Sequence, residues 1–256
     1  MNLKPLLGGA LAMALWASSA SAAWIYVDLK TPDSSNTGIG NVLSYDLGNG
    51  LTMSVTSWST TGNNGTLAAA RTSIYGGGLG VCNSGEVANG CNSPNHAMDN
   101  SGYNDFLLFT FNMTVDPIKV KIGWSNGDSD MNYWVGSEAN PNMAGLALAN
   151  LGTEGFGPQY NSDGSGARWF DVDGGSGLSL LLAAELVQDP PEAYACGYRG
   201  RYTCYRDTDW KDYVKIEAIK VDYTEPPPQE NLPEPATYGL VGSALVGLAY
   251  LRRKRA

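Results

Sequence analysis

Basic residues are scarce in this 256-residue chain: 16 lysines and arginines against 25 acidic residues, for a formal net charge of −9. Several sit at the extremes, Lys4 at one end and Arg252, Arg253, Lys254 and Arg255 at the other, so the middle is strongly acidic. Such a domain repels phosphate backbones and anionic headgroups, which excludes a nucleic-acid binder and leaves divalent cations and neutral sugars as partners. Solvated acidic side chains also simply keep an exported protein soluble. Long apolar runs occur only near the two ends, which excludes a polytopic membrane protein. Long polar tracts are missing and 43% of residues are hydrophobic, so a disordered chain is excluded and one domain with a sizeable core is the economical reading. The 32 glycines follow no G-X-Y period, which excludes collagen and favours a turn-rich chain.

What is present reads as strands. Alternating or continuous runs of β-branched and aromatic residues cover 24–29, 51–58, 105–111, 118–124, 131–135, 168–172, 178–187 and 213–223, separated by Gly, Asn and Asp clusters. No segment carries a helical stripe of normal length, and no internal repeat is visible. The last run alternates apolar with charged residues and slips at Ala218-Ile219, which predicts a bulge. The expected fold is all-β: a single-domain antiparallel β-sandwich or jelly roll over 23–223.

Both ends read as addresses. Residues 1–22 combine Lys4, an apolar stretch and the small-residue ending Ala20-Ser21-Ala22, the pattern of a secretory signal peptide. The implied partners are the Sec translocon and signal peptidase. A Pro-rich stem, 224–232, precedes Pro233-Glu234-Pro235, an apolar run over 236–251 suited to a short transmembrane helix, and the basic tail Arg252 to Arg255. This order over 233–256 resembles the PEP-CTERM sorting signal of Gram-negative bacteria. The resemblance implies processing by an exosortase and delivery to the cell surface or extracellular space, often beside an exopolysaccharide matrix or biofilm. Leu232 stands where valine is commonest in that signal.

Four cysteines in an exported chain suggest two disulfides, and proximity in sequence favours the pairs Cys82–Cys91 and Cys196–Cys204. A metal site of Cys82, Cys91 and His96 is the rival reading, but its spacing matches no zinc pattern. Gly123-Trp124-Ser125-Asn126-Gly127 has the form of a nucleophile elbow, yet no helix is expected after it and the sole histidine, His96, lies upstream. Carboxylate pairs such as Asp171 with Asp173 or Asp207 with Asp209 would share a strand face and could serve glycoside hydrolysis if they faced a cleft. The acid/base separation is a spatial quantity, however, and alternate-residue pairs arise readily by chance in a chain with this many acids. The expectation is a non-enzyme.

Two binding readings remain. Asp99, Asn100 and Asp105 precede one strand, and Asp128 and Asp130 follow the next, an oxygen-rich set suited to calcium; the alternative is that these side chains cap turns. Asp128 to Asn132 begins like an EF-hand loop, but Tyr133 replaces the required glycine and Ala139 the bidentate glutamate. Trp124, Tyr133, Trp134 and Trp169 lie near strand ends, where exposed rings stack on sugars and buried rings pack a core.

The stretch from Gly80 to Asn83, the Cys91, Pro94-x-His96, Asp99-Asn100 and Asp105-Phe106 series, and the turn from Gly123 to Asp130 together resemble a family of exosortase-dependent surface proteins over residues 79–135. That resemblance implies surface location and a β fold, and supplies no catalytic residues. The expected function is that of an exported, exosortase-sorted surface or extracellular-matrix protein with a structural or adhesive role, with a calcium-stabilised carbohydrate-binding module and a glycoside or ester hydrolase as the alternatives.

Overall fold

The computed structural model describes residues 22–61, 65–88, 90–92, 94, 96–186, 192–196, 201–206, 211–224 and 253, with side chains outside the description at 22–23, 192–196, 203–206 and 224. One compact unit spans Ala22–Thr224. In chain order its elements are β1 Ala22–Asp28, β2 Ser34–Ser35, β3 Leu43–Gly48, β4 Leu51–Thr60, β5 Leu67–Ala69, β6 Arg71–Tyr75, β7 Gly78–Cys82, α1 Ser84–Val87, β8 Met98–Asp99 and β9 Asp105–Asn126. There follow β10 Met131–Gly136, a 3₁₀ turn Leu148–Glu154, β11 Tyr160–Ser162, β12 Arg168–Asp171, β13 Gly177–Ala184, β14 Glu192–Cys196, β15 Tyr202–Arg206 and β16 Tyr213–Thr224. Every described strand pair is antiparallel. The expected all-β class is therefore present, in a sandwich-like arrangement.

One layer runs β11–β10–β13–β9–β4, with β3 and β5 along the far edge of β4 and β2 beyond β3. In the other, β16 is central: β9 lies on one side with β12 beyond it, while β8, β7 and β1 follow one another along its second side. Strand β9 belongs to both layers. Residues 105–111 pair with β4, and 116–126 pair with β16. The two strands expected at 105–111 and 118–124 are thus one element of 22 residues.

A straight strand of that length would reach about 70 Å. Yet Tyr213 of β16 is in register with both Asn126, at the far end of β9, and Asp99, six residues before β9 begins. The strand therefore doubles back. The slip in register falls where Thr110 and Val115 oppose Ser179 and Gly177, so three more residues lie on β9 than on its partner. Asn112 secures the bend: its side chain accepts from the Thr52 N–H at 2.7 Å and donates to the Gly50 carbonyl at 2.8 Å.

The main core lies between the layers and draws Leu107, Phe109, Val120 and Ile122 from β9, Val55 from β4, Leu180 and Leu182 from β13, and Ile216, Ile219 and Val221 from β16. A second cluster covers the opposite face of the β9–β13–β10 region, where Phe106, Leu108, Trp134 and Leu181 meet Met143, Leu151 and Phe156 from the segment after β10. Burial on both faces explains why Phe106-Leu107-Leu108-Phe109 is continuously apolar, since neither side of the pleat meets water. The pairing of β16 with β9 slips at three places, between Lys215 and Ile216, between Ile216 and Ala218 and between Lys220 and Val221, whereas Ala218 and Ile219, where a bulge was expected, are in regular register with Lys121 and Val120.

Strands β3, β6 and β7 were not legible as hydrophobic runs. β7 reads Gly-Leu-Gly-Val-Cys, and its glycines serve close approach. A Cβ on Gly80 would stand 1.9 Å from the His96 carbonyl oxygen, and one on Gly78, at φ +118°, would stand 2.3 Å from that of Ile216. The missing side chain at Gly80 lets the His96–Ala97 backbone cross β7, and this places β8.

The segments 1–21 and 225–252, with the signal peptide, the stem, Pro233, Glu234, Pro235, Arg252 and the span expected at 236–251, lie outside the described residues, as do Lys254 and Arg255. Arg253 is described and exposed. No helix among the described residues is long and apolar enough to cross a membrane.

Candidate functional site

The Cys82–Cys91 disulfide is present and closes a short loop over α1. It removes the thiolates that a Cys82, Cys91, His96 metal site would need. The side chains of Cys196 and Cys204 lie outside the described residues; the backbone register of their hairpin sets Cys196 opposite Tyr202 and Cys204 opposite Tyr194.

Within the disulfide loop, Asn83 caps α1. Its side-chain oxygen accepts from the Gly85 and Glu86 N–H groups, and the Glu86 carboxylate reaches back to the Asn83 N–H at 3.1 Å, a reciprocal capping box. The Cys91 N–H donates to the Glu86 carbonyl at 3.1 Å, so the strap returning to the disulfide holds the same residue. Asn83 also donates through its side chain to Asp105 Oδ1 at 3.3 Å. Asp99, set on β8 by the crossing at Gly80, accepts from the Ser101 N–H at 2.8 Å.

These supports bring together Glu86, Asp99 and Asp105, all buried, with one carboxylate oxygen from each lying within 4.8 Å of the others. Burial pushes the Glu86 carboxyl up to about 7, against opposing hydrogen bonds from Asn83. Burial raises Asp99 to about 8, with Glu86 adding repulsion and Lys211 opposing. Asp105 is driven well above the ordinary range by desolvation, then by Asp99 and Glu86, which hydrogen bonding from Ser59 and Asn83 only partly offsets. Asp99 Oδ2 and Asp105 Oδ2 are buried without a hydrogen-bond partner.

Of the five oxygen donors expected from sequence, only Asp99 and Asp105 meet in this cluster. Asn100 turns the other way: it donates to the Glu185 carbonyl at 2.8 Å and to Asp212 Oδ2 at 3.0 Å, and accepts from the Asp212 N–H at 2.9 Å. Asp130 accepts from the Gly164 N–H, and Asp128 from the Ser129 N–H at 2.7 Å, so these two serve the 126–130 and 163–165 turns. The single five-member site is corrected on this geometry, because adjacent residues on an extended backbone point to opposite sides. Glu86 was missed; its signal is the Asn-x-x-Glu capping pattern at 83–86, between two cysteines.

Asp212 forms a second buried acidic point. Desolvation, with Asp130, Asp128 and Glu185 adding repulsion, raises its carboxyl from 3.8 to about 7. The folded protein then keeps a proton that the unfolded chain releases, so stability falls as pH rises through that window. Asp212→Asn is expected to remove this loss and raise stability at pH 8 by roughly 2 kcal/mol, about half of what the whole shift would give because water and salt screen the charge. At pH 4 the gain should vanish; urea melts at both pH values check it.

The expected glycan residues divide as well. Tyr133 and Trp134 are 2% and 5% exposed and belong to the two cores, which corrects their assignment to a stacking surface: β10 is covered on both faces. Trp124 packs beneath Lys215, whose Nζ lies 4.2 Å from its ring centre and 4.7 Å from that of Tyr75. Lys215 is buried, which lowers its pKa, and its Nζ is 2.8 Å from His96 Nε2. Neither ring nitrogen of His96 is hydrogen-bonded to Ser125 or Asp99. Gly123 to Asn126 ends β9, and no helix follows before β10, so the nucleophile-elbow reading lacks both its turn and its base.

Trp169 is exposed, and two rings that sequence reasoning passed over join it. Trp24 and Tyr26 are 64% and 46% exposed on β1. Tyr26 lies 6.2 Å from Trp169, and Lys220 of β16 stands over both Trp24, at 5.0 Å, and Trp169, at 5.4 Å. Their signal was the phase of the strand: Trp24 and Tyr26 alternate with Ile25 and Val27, on the side of Asp28.

Asp171 and Asp173 are exposed, and Asp171 pairs with Lys119 at 2.7 Å, whereas Asp207 and Asp209 lie outside the described residues. A groove of about 320 Å³ runs past Asn36, Asn41, Leu43, Arg71, Thr72 and Ile74, and no carboxylate is among the residues that line it. Comparison with protein-family models, with curated proteins and with solved structures finds no match.

Proposed function

We propose that the protein is an exported, exosortase-sorted bacterial surface or extracellular-matrix protein, whose β domain has a structural or adhesive role and no enzymatic one. The observation that carries this reading is the order of the chain: a signal-peptide pattern over 1–22, then a β unit over Ala22–Thr224, then the Pro-rich stem and the PEP-type signal. A disulfide in that unit suits an oxidising compartment. Mass mapping of both termini in fractionated cells tests it. The surface pool should lack residues 1–22 and the basic tail; protein kept inside the cell with Arg252 to Arg255 attached would overturn it.

A second reading, carbohydrate binding, is favoured by the aromatic face of β1, β16 and β12. Trp24, Tyr26 and Trp169 offer exposed rings to apolar sugar faces, and Lys220 between them offers a hydrogen-bond donor. The exopolysaccharide of the producing cell is the implied partner. Trp169→Ala is expected to weaken retardation in affinity electrophoresis through that polysaccharide by about tenfold, since one lost stacking contact is worth roughly 1–1.5 kcal/mol. Equal mobility of the parent protein with and without polysaccharide would remove this reading.

A further inference from the structure

We propose that Glu86, Asp99 and Asp105 form a calcium site at the end of the sandwich where β8, α1 and the start of β9 meet. Three carboxylates lie where water is excluded, Lys211 offsets only part of the charge on Asp99, and burying carboxylates short of counter-charge is far costlier than any hydrogen bond they make. The spacing suits one ion: two oxygens bound to the same calcium at about 2.4 Å are at most about 4.8 Å apart, and the three carboxylates meet that limit.

A second observation is independent of the charge count. Asp99 and Asp105 are both fully buried, and each keeps Oδ2 without a hydrogen-bond partner, although N–H donors serve Oδ1 of both. Buried carboxylate oxygens left open in this way are what a cation would take up. Among the described residues the group contains oxygen alone. His96 is engaged with Lys215 and both nearby cysteines are in the disulfide, so the chemistry is that of a hard cation and not of zinc. Calcium accepts irregular sets of protein oxygens, whereas magnesium demands near-octahedral geometry and gives up its waters reluctantly. Glu86, at 8% exposure, is the member nearest solvent.

The test uses the purified mature protein, stripped with EDTA and titrated with CaCl₂ at pH 7.5. One ion per chain should bind with a Kd of about 10⁻⁴ to 10⁻³ M, the range of extracellular calcium modules. At a Kd of about 10⁻⁴ M, 10 mM CaCl₂ should raise Tm by about 5–10 °C, and MgCl₂ should produce a clearly smaller rise. Glu86→Gln should weaken binding at least tenfold, while Asp212→Asn, outside the group, should leave it unchanged. No heat and no Tm shift in the parent protein would overturn the site. Binding by Glu86→Gln as tight as by the parent would overturn the ligand set, and an equal magnesium shift would overturn the assignment to calcium. If Glu86→Gln does not fold, Asp99→Asn replaces it; the parent titration decides in either case.

Discussion

Gly80→Ala is expected to destabilise the domain by about 3 kcal/mol, the upper part of the usual range for overpacking, because the obstacle is backbone and not the end of a flexible side chain. The added Cβ would meet the His96 carbonyl oxygen at 1.9 Å, so β7 or the His96–Ala97 segment must move. Either displacement carries β8, and Asp99 with it. Gly76→Ala is the control: a Cβ there meets nothing within 4 Å, and the change should stay within about 0.5 kcal/mol. Denaturant melts of the two variants give the comparison. Equal midpoints would mean that the crossing at β7 is not as close as described.

The second large effect concerns the strap over α1. Replacing both Cys82 and Cys91 by serine should cost about 2.5 kcal/mol, the chain-entropy value for so short a loop. Cys91 also hands its N–H to the Glu86 carbonyl, and Arg71 Nη2 lies 2.9 Å from Cys91 Sγ, so part of the loss should come from the folded side. Denaturant melts of the double variant and of the parent protein, both without reductant, give the comparison. A double variant as stable as the parent would show that the capping box holds α1 alone.

Much of the fold was legible because its strands follow the period-2 rule wherever one face meets solvent. β16 is the clearest case, and β4 is another. The doubled-back β9 was not legible as one element. Its bend at 112–115 carries no glycine, and proline appears only at Pro117, so local chemistry gave the sign of an interruption without saying that pairing continues through it. Strand β7 was invisible for the opposite reason: its glycines are selected by what crosses it, a tertiary fact. The acidic site was half legible. Asp99 and Asp105 stood out by type and spacing, but only the capping of α1 brings Glu86 to them, and only the alternation of the backbone turns Asn100 away toward Asp212.

Ala22 is paired with Thr224, so the chain enters and leaves the domain side by side, while Asp99 is opposite Tyr213, at the other end of β16. Eleven residues of extended strand separate these points by about 35 Å. The carboxylate cluster therefore lies at the end of the β unit opposite the one where the chain enters and leaves, so a cation bound there would tie together the loops farthest from both chain ends.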